Sequence, residues 1–248
     1  MHNTNQVIKF VLIMTTLVAL TLAGLFTFLK PVHEANEALY NKKAILYAVA
    51  SKLDTPISKM SPEKIDDIFT NSIDQKVVNQ RGEEISKEDV IAAGYKGGRA
   101  EDVNIRKEKR KSDADRLLPF YTYTDSKGDK SYIVSIVGNG LWDEIWGNVA
   151  LESNLNTIAG VAFDHQAETP GLGAEIKDNT SWKNQFTGKN LYASNGDFKS
   201  IDVVKGGSKG GPHEVDGISG ATITADGVAE MLDRGIEYYQ PYFEKIKK

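Results

Sequence analysis

Between Phe10 and Leu29 the chain carries no charged residue, and from Val7 onward nearly every position is apolar. At helical rise this stretch covers about 30 Å, the thickness of a bilayer's hydrocarbon core. Two readings compete for it. A cleaved signal peptide needs a basic start, a short apolar run and a small-residue cleavage site. Here Lys9 is a thin basic start, the run is too long, no A-x-A site follows, and no cysteine is present for lipid attachment. The stretch therefore reads as an uncleaved membrane anchor, residues 1–31. Charge leaves the orientation open, because Lys9 and the amino terminus lie on one side and Lys30, Lys42 and Lys43 on the other. That balance leans, if anything, against an outward-facing domain.

The remainder is long enough for one ordinary domain behind the anchor. The absence of cysteine excludes disulfides, cysteine-ligated zinc, cysteine-ligated iron–sulfur clusters and thioether haem. The net charge of −4 argues against nucleic acid as a partner. His2, His33, His165 and His213 are scattered, with no metal-ligand spacing, and read as structural or solvated. No metal site is expected.

Helical and strand signals alternate irregularly, which predicts an α+β fold: a single N-terminal transmembrane helix followed by a mixed α/β domain. Residues 32–115 read as a helical and irregular part, and residues 116–248 as the main domain. A helix is expected over Glu34–Leu53, ended by Pro56. Ser61 caps a short helix through Ile65 and Phe69, Val77 and Val78 form a strand, and Ser86 caps Lys87–Ala93. Residues 96–115, with Arg106, Lys107, Lys109, Arg110 and Lys111 among interleaved acids, read as a solvated segment. Phe120–Tyr123 and Tyr132–Val137 predict a hairpin. Ile158–Phe163 and Phe198–Val204 predict strands, and Trp182–Phe186 a short helix. A final helix runs from Thr224, to be kinked or ended by Pro241.

Three stretches stand out chemically. In Asp216-Gly-Ile-Ser-Gly-Ala-Thr222, glycines permit close backbone approach and Ser219 and Thr222 offer hydroxyls at a helix start, where free N–H groups attract anions. The competing reading is a plain capped start with Thr222 or Thr224 as N-cap. Gly140-Leu141-Trp142-Asp143, with Trp146 nearby, is either core packing or an aromatic surface for a planar ligand. Glu168-Thr169-Pro170-Gly171-Leu172-Gly173 predicts a type II turn with Gly171 at positive φ. The segment Lys205–Gly211 is glycine-rich but lacks the P-loop order, and reads as a mobile loop.

These three stretches, in this order, resemble the signatures of the FMN-binding domain family. The resemblance implies FMN joined to Thr222 by a phosphodiester bond, made from FAD by a magnesium-using flavin transferase. Carried over by position, Asp216, Ser219, Gly220 and Ala221 surround the phosphate. Thr169, Gly171, Leu172, Leu141 and Trp142 belong to the flavin pocket, and Lys205 is an electrostatic partner for flavin or phosphate. The tryptophan signature and the long segment before it resemble the branch found in the sodium-translocating NADH:quinone reductase, with the G-type subunit of the Rnf complex as the alternative. The implied partners are the other subunits of that membrane complex, the flavin transferase and membrane lipid. The implied location is the inner membrane, with the large domain outside the cytoplasm. No glycine fingerprint for NADH follows a strand and no acid–base pair suggests catalysis in this chain. The resemblance implies a flavin-based electron carrier between NADH oxidation and quinone reduction. A membrane-tethered adaptor without redox function is the reading from a different class.

Overall fold

The computed structural model describes residues 4–247. The chain divides into two compact units, one ending at Tyr40 and the other comprising Asn41–Lys248. Helix α1, Thr4–Tyr47, includes the apolar stretch, whose mean hydropathy of 2.2 is high enough for a membrane span. The sequence pattern suggests an anchor and a separate helix over Glu34–Leu53. Instead α1 runs through Pro31. A proline removes one amide donor, and the surrounding helical bonds carry the helix past it. The helix stops at Tyr47, and a 3-10 turn follows at Ala50–Lys52. The chain turns there because Ala48 and Val49 are buried, with the Ala48 carbonyl laid against Gly160.

The second unit is built on one antiparallel meander. Helix α2 (Pro62–Asn71) starts at Ser61, whose hydroxyl accepts from the Lys64 amide. Strand β1 (Ile73–Val78) follows, then α3 (Lys87–Ala92) and α4 (Ile105–Glu108). Strands β2 (Leu118–Thr124), β3 (Lys130–Asn139), β4 (Glu144–Glu152) and β5 (Ile158–His165) complete a five-stranded sheet in sequence order. Helices α5 (Glu175–Asp178) and α6 (Thr180–Asn184) lead to the parallel pair β6 (Asp202–Val204) and β7 (Glu214–Asp216). Helix α7 (Thr222–Glu237) and α8 (Gln240–Ile246) end the chain, with Pro241 inside the first turn of α8. Helices stand before, between and after the strands of one antiparallel sheet, which makes the fold α+β.

The sheet is covered on both faces, so Ile133, Val134, Ser135 and Ile136 of β3 are all buried and form a continuous buried run rather than an alternation. On one face α7 crosses β3 at unusually short range. A Cβ on Gly138 would lie 2.6 Å from that of Met231, and one on Gly235 would lie 2.7 Å from that of Ile136. A Cβ on Gly227 would lie 2.1 Å from the Asn139 carbonyl oxygen. Tyr239 locks the far end, its hydroxyl donating to the carbonyls of Pro119 and Ser135 at 2.9 and 2.8 Å. This crossing fixes where α7 begins relative to the β3–β4 turn.

One strand carries no expectation from the sequence, and two expectations need correction. Strand β4 is hidden in the sequence because Gly147 and Asn148 interrupt its β signal. Gly147 is there because Phe163 of β5 packs over it, 2.5 Å from where a Cβ would stand. Only Asp202–Val204 of the expected Phe198–Val204 strand forms, since Ser200 takes a left-handed φ of 58°. Residues 96–115 are only partly a solvated segment: Lys96, Arg99, Lys107, Arg110 and residues 112–115 are exposed, but Ala100, Val103 and Glu108 are buried. Glu108 is fully buried, accepting from the Tyr95 hydroxyl and from the Leu117 amide at 2.9 Å, and pairing with Lys111 at 2.8 Å. Arg106 stacks over Trp146 at 4.6 Å and pairs with Glu144. Lys109 donates to the Gly138 carbonyl at 2.9 Å, and desolvation holds its pKa below the ordinary lysine value.

Candidate functional site

Helix α7 begins at Thr222, with Ala221 as N-cap and no side chain capping it. The capped-start alternative is therefore not what forms. The Thr222 hydroxyl has no hydrogen-bond partner among the described residues, and Thr224 points its hydroxyl elsewhere, to Glu168. The first amides of α7 are left without intrahelical acceptors, which makes the helix start a site for negative charge. Gly220, at φ +74°, turns the chain into the helix where a side chain would be strained.

Thr222 opens on a cavity of about 460 Å³ lined also by Lys205, Gly206, Gly207, Asp216, Gly217, Ser219, Gly220 and Asp226. This lies within the roughly 300–1,000 Å³ of small-molecule and cofactor sites. A second cavity, about 130 Å³ beside Arg116 and Tyr238, is too small for such a ligand.

The glycine loop beside the cavity is tied down by carboxylates. The Ser208 amide donates to Asp216 Oδ1 at 2.7 Å, and the Lys209 and Gly211 amides donate to Glu214 at 2.9 and 2.8 Å. Asp216 thus acts on the loop. The hydrogen bond from Ser208 is the first cause that holds its carboxyl below the usual range. The Asp216 backbone is itself fixed, its carbonyl accepting from Trp182 Nε1 at 2.6 Å and its amide donating to Gln185 at 2.9 Å. Ala221 is buried and does not line the cavity.

The other two motif segments meet on the adjoining surface. Trp142 Nε1 donates to Thr169 Oγ1 at 3.2 Å. Gly171 has φ +74°, and the Leu172 amide donates to the Thr169 carbonyl at 3.1 Å, closing the expected turn. Leu172 rests on Gly220, where a Cβ would come within 2.6 Å of Leu172 Cδ2. Among the described residues beyond α1, five large hydrophobic residues are exposed: Ile91, Leu141, Trp142, Leu172 and Ile223. All but Ile91 lie in these segments or directly after them, so the apolar exposure is concentrated at one place. Trp142, at 67% exposure, is not core. Trp146 is a separate case, held under Arg106.

Sequence reasoning places Glu168 within its motif without giving it a role. Its buried carboxylate receives the Trp142 amide and the Thr224 hydroxyl. Ile223 and Gly227 carry no local signal either, and only the three-dimensional crossing of α7 and β3 gives Gly227 its meaning. His165 is structural, its Nδ1 accepting from the Glu168 amide at 3.1 Å, and His213 Nδ1 contacts the Asn190 carbonyl. His33 is exposed on α1, and His2 lies outside the described residues.

A helix start with free amides, an available hydroxyl, a glycine cradle and an apolar shelf suit a molecule with a phosphate at one end and a planar ring at the other. Residues 140–237 match the FMN-binding domain. Fold and site together define a protein with an FMN-binding domain behind an apolar N-terminal helix. The chain is 33% identical to the C subunit of the Na(+)-translocating NADH-quinone reductase of Pseudomonas aeruginosa, over 93% of this chain and 90% of that protein. It is 29% identical to the protein of the same name from Haemophilus ducreyi, over 96% and 92%. The crystal structure of the corresponding protein from Parabacteroides distasonis superposes with a TM-score of 0.70 at 31% identity, covering 86% of this chain and 96% of that one. The chain belongs to the family of C subunits of the Na(+)-translocating NADH-quinone reductases. Of the two branches left open by the sequence pattern, this is the sodium-translocating one.

Proposed function

We propose that this chain is the flavin-carrying subunit of a membrane NADH:quinone reductase that exports sodium, with FMN held by a phosphodiester to Thr222. The observation that carries the reading is the uncapped start of α7 at Thr222, beside a cavity of about 460 Å³. FMN, when bound, supplies reversible electron carriage. The chain's share is to hold and tune it. The free amides of α7 and the Lys205 ammonium would offset phosphate charge, Ser219 and Gly220 would hold the phosphate end, and Leu141, Trp142, Thr169 and Leu172 would offer the shelf for the ring. In maturation, Thr222 would supply the hydroxyl that replaces AMP on the FMN-side phosphorus of FAD, with a magnesium-using flavin transferase supplying the chemistry and taking up the proton. NADH oxidation, quinone reduction and sodium passage belong to partner subunits.

The test is the full chain expressed with its transferase, extracted from membranes and run on a denaturing gel. Flavin fluorescence that stays with the chain is the expected result. A colourless chain would favour a tethered adaptor without redox function.

In this reading α1 anchors the protein and the large domain lies outside the cytoplasm. Protease added to intact spheroplasts should digest that domain, and protection until lysis would reverse the orientation.

The shelf residues are expected to tune the flavin without being needed for its attachment. Trp142→Ala and Leu172→Ala should keep covalent FMN but shift its absorption and midpoint potential. Because Trp142 is exposed, its truncation should cost about 1 kcal/mol or less. A strongly destabilised Trp142→Ala protein with an unaltered flavin spectrum would remove Trp142 from the site.

A further inference from the structure

Glu168 is buried to 4% exposure, and no cation lies within salt-bridge reach of it among the described residues. A buried carboxylate without a cation is unfavourable unless hydrogen bonds satisfy it, and an apolar side chain would serve a mere core better. Its two oxygens are divided between two segments. Oε1 accepts from the Trp142 amide at 3.0 Å, and Oε2 accepts from the Thr224 hydroxyl at 2.5 Å. Room for the carboxylate exists only because glycines stand on both sides. A Cβ on Gly140 would lie 2.4 Å from Oε1, and one on Gly173 would lie 2.2 Å from Oε2. The Glu168 amide is in turn pinned to His165 Nδ1 on β5.

We infer that Glu168 is a positioning residue for the flavin site: its carboxylate fixes the Trp142 turn to the first turn of the acceptor helix, setting ring shelf and phosphate attachment point at one distance. This deepens the proposed function and rests on that reading for its flavin consequences. The carboxylate touches Thr224 and not Thr222, so its effect on attachment is indirect. A rigid spacing matters for a tethered ring, because a shelf that drifts from the tether leaves the ring in many orientations.

The test uses the full chain with Glu168→Ala, Glu168→Gln and Thr224→Val, each with and without Thr222→Ala. The first measurement is amide hydrogen exchange on the Thr222→Ala chains, which needs no flavin. Glu168→Ala should speed exchange across residues 140–143 and 222–226 by about tenfold or more, with the β3–β4 ladder nearly unchanged. Glu168→Gln keeps an acceptor for the Trp142 amide and gains a donor toward Thr224 Oγ, so it should stay within about threefold of the parent. Thr224→Val should loosen residues 222–226 alone. The second measurement is the visible circular dichroism of the flavin on the chains that keep Thr222. It should change in Glu168→Ala and return in Glu168→Gln. Unchanged exchange and dichroism in Glu168→Ala would overturn the proposal. So would a folded Glu168→Gln protein that behaves like the alanine variant, since that would assign the effect to charge rather than position. Covalent flavin persisting in Thr222→Ala would instead sink the tether reading, leaving the exchange result to judge Glu168 independently.

Discussion

Thr222→Ala is expected to remove in-gel flavin fluorescence completely, whereas Ser219→Ala and Thr224→Val keep it. Three hydroxyls lie close together in this stretch, and the structure separates their circumstances. Thr224 is buried, with its hydroxyl committed to Glu168. Ser219 lines the cavity but precedes the turn at Gly220. Thr222 alone combines a place on the cavity wall with the first position of α7, where free amides favour the charge that a phosphodiester retains. The loss should be total because no second side chain holds this position. The variant should fold normally, since the hydroxyl has no partner to lose among the described residues. Fluorescence retained in Thr222→Ala, or lost in Ser219→Ala, would move the acceptor.

Gly227→Ala is expected to be the most damaging of the conservative changes in α7. In an exposed helix this substitution stabilises by about 1 kcal/mol. Here the new Cβ would stand 2.1 Å from the Asn139 carbonyl oxygen, a backbone atom at the mouth of the β3–β4 turn. Overpacking of this kind costs about 1–3 kcal/mol, so the propensity gain is cancelled or reversed. The second consequence is geometric: α7 must lift from the turn that carries Trp142, so the flavin spectrum should shift along with the melting temperature. Asp233→Ala, exposed on the same helix, offers the propensity gain without the clash and should leave both unchanged or slightly improved. A Gly227→Ala protein as stable as Asp233→Ala, with an unaltered flavin, would mean that the crossing adapts freely.

The parts of this fold legible in the sequence are those whose signal is local. Ser61 and Ser86 before their helices, the β2–β3 hairpin and the Pro170–Gly171 turn all follow from neighbouring residues, and each is present. What fails depends on distant contacts. Gly147 looks like a strand breaker until Phe163 is seen lying over it. Residues 105–111 look solvated because their partners, Glu144, Gly138 and Trp146, are a strand pair away. The anchor reads as ending at residue 31, yet the helix passes through Pro31.

The site divides in the same way. Thr222, Ser219, Gly220, Thr169, Leu172 and Trp142 are visible as local patterns. Their convergence is not, because it is made by Glu168 reaching two segments at once and by glycines that let α7 lie on β3. In sequence Asp216 reads as a phosphate neighbour; it lines the cavity, and its Oδ1 also accepts from the Ser208 amide of the glycine loop. That second role is invisible in sequence, since a carboxylate after a glycine run fits both.

The proposed function turns on a covalent bond at one atom. Fragmentation mass spectrometry of the peptide spanning residues 210–234, from protein matured with its transferase, reads that bond directly. The peptide is expected to carry the mass of FMN less one water, with every fragment containing Thr222 bearing the increment and fragments ending at Ala221 lacking it. An unmodified peptide, or an increment that maps to Ser219 or Thr224, would contradict it.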